Sequence, residues 1–217
     1  MKNLYGIILL TVVISFDLIA TIVNVPADTS TIQGGIYLAN NGDTVLVDDG
    51  RYYENINFKG KAITVASHFL WDDDTSHISN TIIDGSNPSN PDSGSVVYFI
   101  SGENTTSILC GFTIINGTGS EDPRPNYTGS IVGGGICCYQ SSPRILNCHI
   151  TENNGAFFGS GIFCSNSNAL LENLIISQNT ALLSGAGIYS HYSSLVLKNI
   201  TIFSLPATPY GHRLLRE

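Results

Sequence analysis

The chain has 217 residues, 12% of them charged, and its formal net charge is −8 with only 9 Lys and Arg residues. This balance argues against a nucleic acid or an anionic membrane surface as a partner, because both need a basic face. The sequence also holds 22 Gly and 20 Asn, which favour turns because both residues tolerate positive φ angles. No long stretch beyond the N-terminus has a 3.6-residue period, so we expect an all-β chain with almost no helix.

Residues 1–24 have the pattern of a secretory signal peptide. Lys2 precedes an apolar run from Leu4 to Phe16, which matches the charged and apolar regions of such a signal. Apolar residues then continue to Val25, so a membrane-spanning anchor is the alternative. Asp17 would lie near the middle of that span and would cost roughly 2.5–3.5 kcal/mol there, which favours the signal peptide.

We therefore predict that the protein is secreted or displayed at the cell surface. Cleavage is expected near Ala20 or Ala27, although neither site has small residues at both expected positions. Contact with a membrane is expected only through the N-terminal segment, and only if that segment stays uncleaved.

Short apolar strands separated by turns follow the N-terminal segment. The residues from Ile32 to Ala39 are amphipathic and are predicted to form a helix that caps the open end of the strand stack. Strands are then predicted at Thr44–Val47, Ile56–Phe58 and Ile63–Val65. Two longer insertions follow, Ser86–Ser95 and Thr118–Ser130, and such loops are where a repeat protein usually carries its function.

The last third of the chain repeats with a period of 26 residues, which is typical of stacked structural repeats. Four columns hold through three units and a fifth through two: Gly135, Gly161 and Gly187; Ile136, Ile162 and Ile188; Asn147, Asn173 and Asn199; Ile150, Ile176 and Ile202; Asn153 and Asn179. Because several independent columns keep one interval, we predict that equivalent residues lie directly above one another.

The pattern inside each unit predicts three strands and three corners. Ile145 and Ile150 belong to an alternating set that we expect to point inward, whereas Arg144 and His149 belong to the outward set. The phase of the alternation shifts at Asn147, as expected where two strands meet at a corner. Three short strands in 26 residues make one coil of a parallel β-helix, with coils stacked ~4.8 Å apart.

The repeated Asn and Gly residues are predicted to shape the corners. Asn147, Asn173 and Asn199 are expected to adopt the left-handed conformation and to hydrogen-bond to one another from coil to coil. Gly135 and its counterparts are expected at a sharper corner, where a Cβ atom would clash.

The sequence also resembles a known family in several segments. These are "STIQGGIYLANNGDTVLVDDGRYYENINFKGKAITV", "TIIDG", "GFTI" and the "GGGI" units with their Asn and Ile columns. They resemble the right-handed parallel β-helix repeat proteins of the pectin-lyase-like superfamily, including large exported bacterial surface proteins. The units "ITENNGAFFGSGI" and "ISQNTALLSGAGI" resemble repeats of the polymorphic outer-membrane proteins.

The resemblance implies a single-stranded right-handed parallel β-helix over residues 25–202, with an N-terminal capping segment. The tail, residues 203–217, breaks the 26-residue register, so we predict that it is irregular and that the chain is a fragment. The family includes lyases, hydrolases, adhesins and passive scaffolds, so the resemblance predicts the fold but no single activity.

One acidic segment of the chain holds candidate ligands for a metal ion. Asp72, Asp73 and Asp74 stand beside Trp71 and are candidate Ca²⁺ ligands, because pectate-lyase-like chemistry would need a cluster of carboxylates; a solvated acidic loop is the alternative. The pair Asp48–Asp49 matches an ordinary turn of the family. Enzymes of the family that resemble polygalacturonases need the segments "NTD" and "GHG". Neither segment occurs in this sequence.

The cysteines and histidines give no catalytic candidate. The five cysteines lack metal-ligand spacing, so we predict buried apolar fillers, with a Cys138–Cys164 bridge between coils as the alternative. None of the five histidines stands in a nucleophile motif. We therefore predict no catalytic residue and no cofactor apart from the weak Ca²⁺ candidate.

Taken together, these patterns predict an exported, non-enzymatic surface protein. Its long flat face is expected to bind glycans or a partner surface protein. The alternative is a polysaccharide lyase or a glycoside hydrolase, which would need carboxylates converging on one outward face.

Overall fold

The computed structural model describes residues 20–88 and 93–203, so most of the predicted signal peptide and nearly all of the predicted tail lie outside the described residues. The described ranges contain nineteen short strands and three short helices. In chain order these are β1 (Ile22–Val25), α1 (Ile32–Leu38), β2 (Thr44–Val47), β3 (Gly50–Tyr52), β4 (Ile56–Asn57), β5 (Thr64–Ser67), α2 (Phe69–Asp72), α3 (Ser76–Asn80), β6 (Thr81–Asp84), β7 (Ser93–Gly94), β8 (Val97–Phe99), β9 (Ile108–Cys110), β10 (Thr113–Ile115), β11 (Gly119–Glu121), β12 (Ile131–Val132), β13 (Ile136–Tyr139), β14 (Arg144–Leu146), β15 (His149–Thr151), β16 (Ile162–Ser165), β17 (Leu170–Ser177), β18 (Ile188–His191) and β19 (Val196–Phe203).

Most strands belong to two parallel sheets that wrap around one core. An eleven-stranded sheet bends at a corner and so forms two faces. The first face contains β1, β2, β5, β9, β14 and the first halves of β17 and β19, and the second contains β3, β6, β10, β15 and the second halves of β17 and β19. A five-stranded sheet of β4, β8, β13, β16 and β18 forms the third face. The chain visits the three faces in turn, which confirms the predicted all-β parallel β-helix.

The interior is filled by columns of apolar side chains. Ile150 in β15 lies opposite Ile176 in β17, and Ile176 lies opposite Ile202 in β19. Ile150 and Ile176 are fully buried, as the alternating pattern predicts, and burying such a side chain contributes about 1.5–3 kcal/mol. Ile202 is partly exposed because it lies in the last described strand.

The predicted asparagine ladder is present at the corner between the first and second faces. Asn147, Asn173 and Asn199 have φ angles of 51°, 56° and 50°. Asn173 Nδ2 donates to Asn147 Oδ1 at 2.9 Å, and Asn199 Nδ2 donates to Asn173 Oδ1 at 3.0 Å. Each amide therefore satisfies the next one while its backbone turns the corner in the left-handed conformation.

A second, buried asparagine ladder lies at the corner between the second and third faces. Asn153 Nδ2 donates to Asn179 Oδ1 at 3.0 Å, and Asn153 Oδ1 accepts from Gly117 N at 2.8 Å. The glycine column lies nearby, and a Cβ atom on Gly161 would come within 2.4 Å of the Gly187 carbonyl oxygen. This corner therefore requires glycine, as predicted.

Helix α1 covers the N-terminal end of the core and is fixed at both ends. Two of its own residues, Ile32 and Ile36, are fully buried against the core. The Glu54 carboxylate accepts from the backbone N–H groups of Ile32 and Gln33 at 2.8 and 2.9 Å, where the helix dipole favours a negative charge. Lys61 Nζ donates to three carbonyl groups at the other end of the helix. These contacts bear out the predicted capping helix.

A small antiparallel sheet of β7, β11 and β12 lies outside the third face. Val132 in β12 packs in one buried cluster with Phe163 of the third face. In the connection between β11 and β12, the guanidinium carbon of Arg124 lies 3.7 Å from the ring centroid of Tyr127 and 5.1 Å from that of Phe163. Arg124 Nε also donates to Asp122 Oδ1 at 2.9 Å. A buried ion pair between two aromatic rings thus fixes this covering segment.

The five cysteines are all free and buried, which agrees with the predicted role as apolar fillers. Cys138 in β13 lies opposite Cys164 in β16, and no bond joins them. Among residues 20–88 and 93–203, no helix combines the length and the apolar character needed to cross a bilayer.

Candidate functional site

A polar cleft of about 290 Å³ lies at the N-terminal end of the third face, beside helix α1. Its polar lining comes from four separate segments of the chain: Gln33, Asn55, Asn57, Lys59, Ser93 and Tyr98. Residues that bear three primary amides, a hydroxyl, a phenol and an ammonium group therefore line one concave surface. The side chains of Tyr37 and Ile100 add apolar surface at its edges.

The amides of the cleft are held by the backbone of β4. Asn57 N donates to Gln33 Oε1 at 2.7 Å, and Gln33 Nε2 donates to Asn57 O at 3.2 Å. The Gln33 side chain thus pairs with β4 in the way that a neighbouring strand would. Asn55 Nδ2 donates to Ser95 O at 2.8 Å. These bonds fix the polar groups before any ligand arrives, which lowers the entropy cost of binding.

Tyr98 forms one wall of the cleft and is fixed by two serines. Its hydroxyl lies 2.6 Å from Ser120 Oγ and accepts from Ser95 N at 3.0 Å. Burial raises the pKa of the Tyr98 phenol above its ordinary value, although the hydrogen bonds with Ser120 and Ser95 oppose this. The phenol is therefore neutral at physiological pH.

The rim of the cleft carries an exposed ring and a cation. Tyr37, at the end of α1, is 61% exposed. Lys59 has a left-handed backbone with φ 57°, and its Nζ forms no ion pair with any described residue. A flat ring next to fixed amides can bind a polar ligand that also has an apolar side.

A second polar cluster lies at the corner between the first and second faces. Helices α2 and α3 form an insertion at this corner, between β5 and β6. His77 Nδ1 lies 2.6 Å from Asp49 Oδ1, and His77 Nε2 lies 3.2 Å from Asp72 Oδ2. His68 Nε2 lies 2.7 Å from Asp48 Oδ1. His77 therefore joins α3 both to α2 and to the turn after β2.

The hydrogen bonds of this cluster stabilise its charged forms. The hydrogen bond to Asp49 and the charges of Asp49 and Asp72 raise the pKa of His77, although burial opposes the shift. Burial acts to raise the pKa of the Asp49 carboxyl, but hydrogen bonds from His77, Asn80 and Thr81 outweigh it and hold that pKa below its ordinary value. A protonated His77 between two carboxylates is thus the favoured state at mildly acidic pH.

The three aspartates predicted as Ca²⁺ ligands have separate roles in this insertion. Asp72 contacts His77, while Asp73 ends α2 with a left-handed backbone at φ 58°. Asp74 Oδ1 accepts from Ser76 N at 2.9 Å. In the part of the chain that the structure describes, no group of three His, Cys, Asp or Glu side chains is placed to hold a metal ion. Ca²⁺ binding by these residues stays a prediction.

One outward column of the third face has no carboxylate in it. Strand pairing stacks these residues in the order Asn57, Tyr98, Cys137, Phe163 and Tyr189. Phe163 and Tyr189 are stacked with their rings 3° from parallel. This column offers amide, phenol and aromatic groups rather than acid–base catalysts.

Sequence reasoning identified only part of these two sites. It noted the Asp48–Asp49 pair and the three aspartates, but it gave no role to His68 and His77, the two histidines that contact them. It also missed the cleft, because Gln33, Asn57 and Tyr98 come together only through the strand register. Asp48 and His68 each directly follow a first-face strand and are one coil apart. This interval was a sequence signal that the two residues lie close together.

The comparisons with known proteins concern the fold. The sequence matches no protein-family model and no curated protein. A solved pectin methylesterase from Yersinia enterocolitica superposes with a TM-score of 0.55 and 15% identity, over 84% of this chain and 58% of that one. A pectin methylesterase in complex with a hexasaccharide superposes with a TM-score of 0.54 and 9% identity, over 88% of this chain and 56% of that one.

The fold is a right-handed parallel β-helix, shared with these two pectin methylesterases. The chain spans less than two thirds of the length of either solved structure. At these identities the likeness concerns the fold alone, so the activity of those enzymes is not carried over to this β-helix.

Proposed function

We propose that this protein is an exported, non-enzymatic β-helix that binds glycans in the cleft at the N-terminal end of its third face. The observation that carries the proposal is the lining of the cleft, with fixed amides and hydroxyls beside the exposed Tyr37 ring. Sugars offer several hydroxyl groups and an apolar C–H face, and these two features match the amides and the ring respectively.

The geometry favours a glycan over a partner protein at this cleft. A protein interface usually has an apolar core with a polar rim. In this cleft the order is reversed, since Gln33, Asn55 and Asn57 lie in the lining while Tyr37 and Ile100 stand at the edge. Lys59 adds one positive charge, which would favour a glycan with acidic groups over a neutral one.

The proposal is tested by titrating the purified protein with a panel of neutral and acidic oligosaccharides and measuring the heat of binding. We expect saturable binding of at least one glycan class. The variant Tyr37→Ala should weaken it about tenfold, which corresponds to about 1.4 kcal/mol. Lys59→Ala should weaken acidic glycans more than neutral ones.

Tyr192→Ala is the matched control, because Tyr192 is exposed at the other end of the third face. It should leave the affinity unchanged. Binding that is equally weakened by both tyrosine variants, or that neither variant affects, would contradict the cleft as the site.

The second candidate is an enzyme that acts on polysaccharides, a lyase or a glycoside hydrolase. Its support is the fold shared with two pectin methylesterases and the cluster of Asp48, Asp49, Asp72, His68 and His77 at one corner. Incubation with a polysaccharide panel, with and without Ca²⁺, separates the two candidates. New reducing ends or unsaturated products would favour the enzyme.

A further inference from the structure

The N-terminal end of the first face contains a contact that bears on how the chain is processed. Thr21 N donates to Asp43 Oδ1 at 2.8 Å, and Asn40 N donates to Asp43 Oδ2 at 2.7 Å. Asp43 is only 4% exposed. Hydrogen bonds from the backbone of Thr21 and then of Asn40 lower the pKa of the Asp43 carboxyl, so it is ionised at neutral pH.

The strand ladder begins at the same residue. Thr21 O accepts from Thr44 N at 2.9 Å, and β1 then pairs with β2 from Ile22 to Val25. Ala20 and Thr21 are both exposed. The peptide bond between them is therefore accessible, and it lies directly beside the hydrogen bonds of Thr21 with Asp43 and Thr44.

Cleavage at the other site that the sequence offers, near Ala27, would remove β1. Val25 is fully buried and belongs to the main core cluster, so its loss would open the core at this end.

We propose that the mature protein begins at Thr21 and that its new N-terminal ammonium group binds the Asp43 carboxylate. Water hydrolyses the Ala20–Thr21 peptide bond in the active site of a leader peptidase. The released leader keeps the new Ala20 carboxylate, and the Thr21 amine takes up a proton. This inference rests on the export part of the proposed function.

The chemistry of the contact favours this end point. Before cleavage, Thr21 N carries one neutral N–H group. After cleavage the same atom carries a positive charge at physiological pH, since an α-amino group has a pKa of about 7.7–8.0. The bond to the ionised Asp43 carboxylate then joins two opposite charges, so Coulomb attraction adds to the hydrogen bond. The exposed position of Thr21 keeps the remaining N–H groups of the ammonium in water, so little desolvation cost arises.

The first experiment is expression of the full chain with its own N-terminus in a secretion-competent bacterial host, followed by intact-mass analysis and N-terminal sequencing. We expect an extracytoplasmic protein that begins at Thr21. Ala20→Tyr should block processing because a large residue replaces the small one before the bond, whereas Ala27→Tyr should not. An exported protein that begins at Asp28 or elsewhere would overturn the site, and a full-length chain found only inside the cell would overturn export as well.

The second experiment tests the ion pair in purified protein. A chain that begins at Thr21 is compared with one that has Ser-Gly-Ala before Thr21, which keeps the N–H group but moves the charge away. We expect the Thr21 form to melt at a higher temperature and this difference to vanish in the Asp43→Asn background. Equal melting temperatures of the two forms with Asp43 intact would contradict the proposed contact.

Discussion

The coils after Gly133 and the coils before it are built on the same three faces but differ in regularity. On the third face, Cys137 pairs with Phe163 and Phe163 with Tyr189, both at an interval of 26 residues. Earlier in the chain, Asn57 pairs with Tyr98 and Tyr98 with Cys137, at intervals of 41 and 39 residues. The extra residues form the α2–α3 insertion and the small sheet outside the third face.

The two regions are also stabilised by different interactions. The regular coils rely on ladders of like residues, such as the asparagine and isoleucine columns. The earlier coils rely on single polar contacts, such as Glu54 at the start of α1 and Asp84 with Arg51 at 2.7 Å. Both candidate sites lie in the earlier coils. Repetition thus provides the stable stack, and departures from it provide the surfaces that can carry function.

The largest effect is expected from the interior of the regular coils. Ile176→Asp would place an unpaired charge in the core, between Ile150 and Ile202. We expect a loss of more than about 4 kcal/mol, enough to unfold the stack. Circular dichroism during thermal unfolding measures this.

Ile175→Asp is the control, because Ile175 precedes Ile176 in β17 but is 37% exposed. It should remain folded with a small loss of stability. A folded Ile176→Asp variant with a near-native melting temperature would contradict the register.

The next largest loss of stability is expected at the ion pair between Arg124 and Asp122, which fixes the connection between β11 and β12. Arg124→Ala leaves the fully buried Asp122 carboxylate without its partner. Breaking a buried pair from one side costs about 3–5 kcal/mol. Chemical denaturation measures the loss, and Arg144→Ala, at a half-buried outward position, should change stability by less than about 1 kcal/mol. A similar loss in both variants would show that the pair around Arg124 has no special role.

The two asparagine ladders should differ in strength. Asn153→Ala removes a buried amide that bonds to Gly117, Ile114 and Asn179. Leaving a buried group unpaired costs about 1–3 kcal/mol, and here more than one group loses its partner. Asn173→Ala removes an exposed amide and places alanine in the left-handed region, at a cost of about 1 kcal/mol. Equilibrium unfolding compares the two variants. Equal losses would show that burial does not decide the strength of a ladder.

The smallest effect is expected at the His77 contact. Because the pKa of His77 is raised, its protonated side chain contributes to the stability of the insertion below pH 6.5. This contribution is lost as the pH rises through the higher pKa of the folded state. Because the pKa of Asp49 is lowered, its ionised carboxylate contributes to the stability of the insertion above pH 3.8. This contribution is lost as the pH falls through the lower pKa of the folded state. The α2–α3 insertion should therefore be held best between about pH 4 and pH 6.5.

Hydrogen exchange of residues 68–80 as a function of pH measures this, after correction for the intrinsic pH dependence of exchange. His77→Gln should remove the variation without changing exchange in β17. Protection of the insertion that rises steadily above pH 7 would contradict the assigned direction.

The fold of the regular coils was predictable because geometry acts on every unit in the same way. A corner that needs a left-handed residue selects Asn147, Asn173 and Asn199 alike, so the cause is visible as a column in the sequence. The inward positions repeat for the same reason, and Ile150 and Ile176 are buried as the alternation predicts.

The sites were less predictable because they depend on contacts that occur once. Gln33 pairs with Asn57 only because α1 folds over the first coil. No repeated residue in the sequence indicates that contact. His77 reaches Asp49 through an insertion of two short helices. The sequence predicted this region only as a candidate Ca²⁺ site or a solvated acidic loop. The role of the buried Asn153–Asn179 pair likewise needed the structure, although its spacing was visible.

The reactivity of the five buried thiols would report when the coils of the β-helix separate. Burial raises the pKa of the Cys148 thiol to about 12 and also raises that of Cys110, so both stay protonated and unreactive in the closed stack. The cysteines belong to three successive coils: Cys110 to the coil that contains β9, Cys137, Cys138 and Cys148 to the coil that begins with β13, and Cys164 to the coil that begins with β16. Their individual alkylation rates would therefore reveal the order in which neighbouring turns of the solenoid separate.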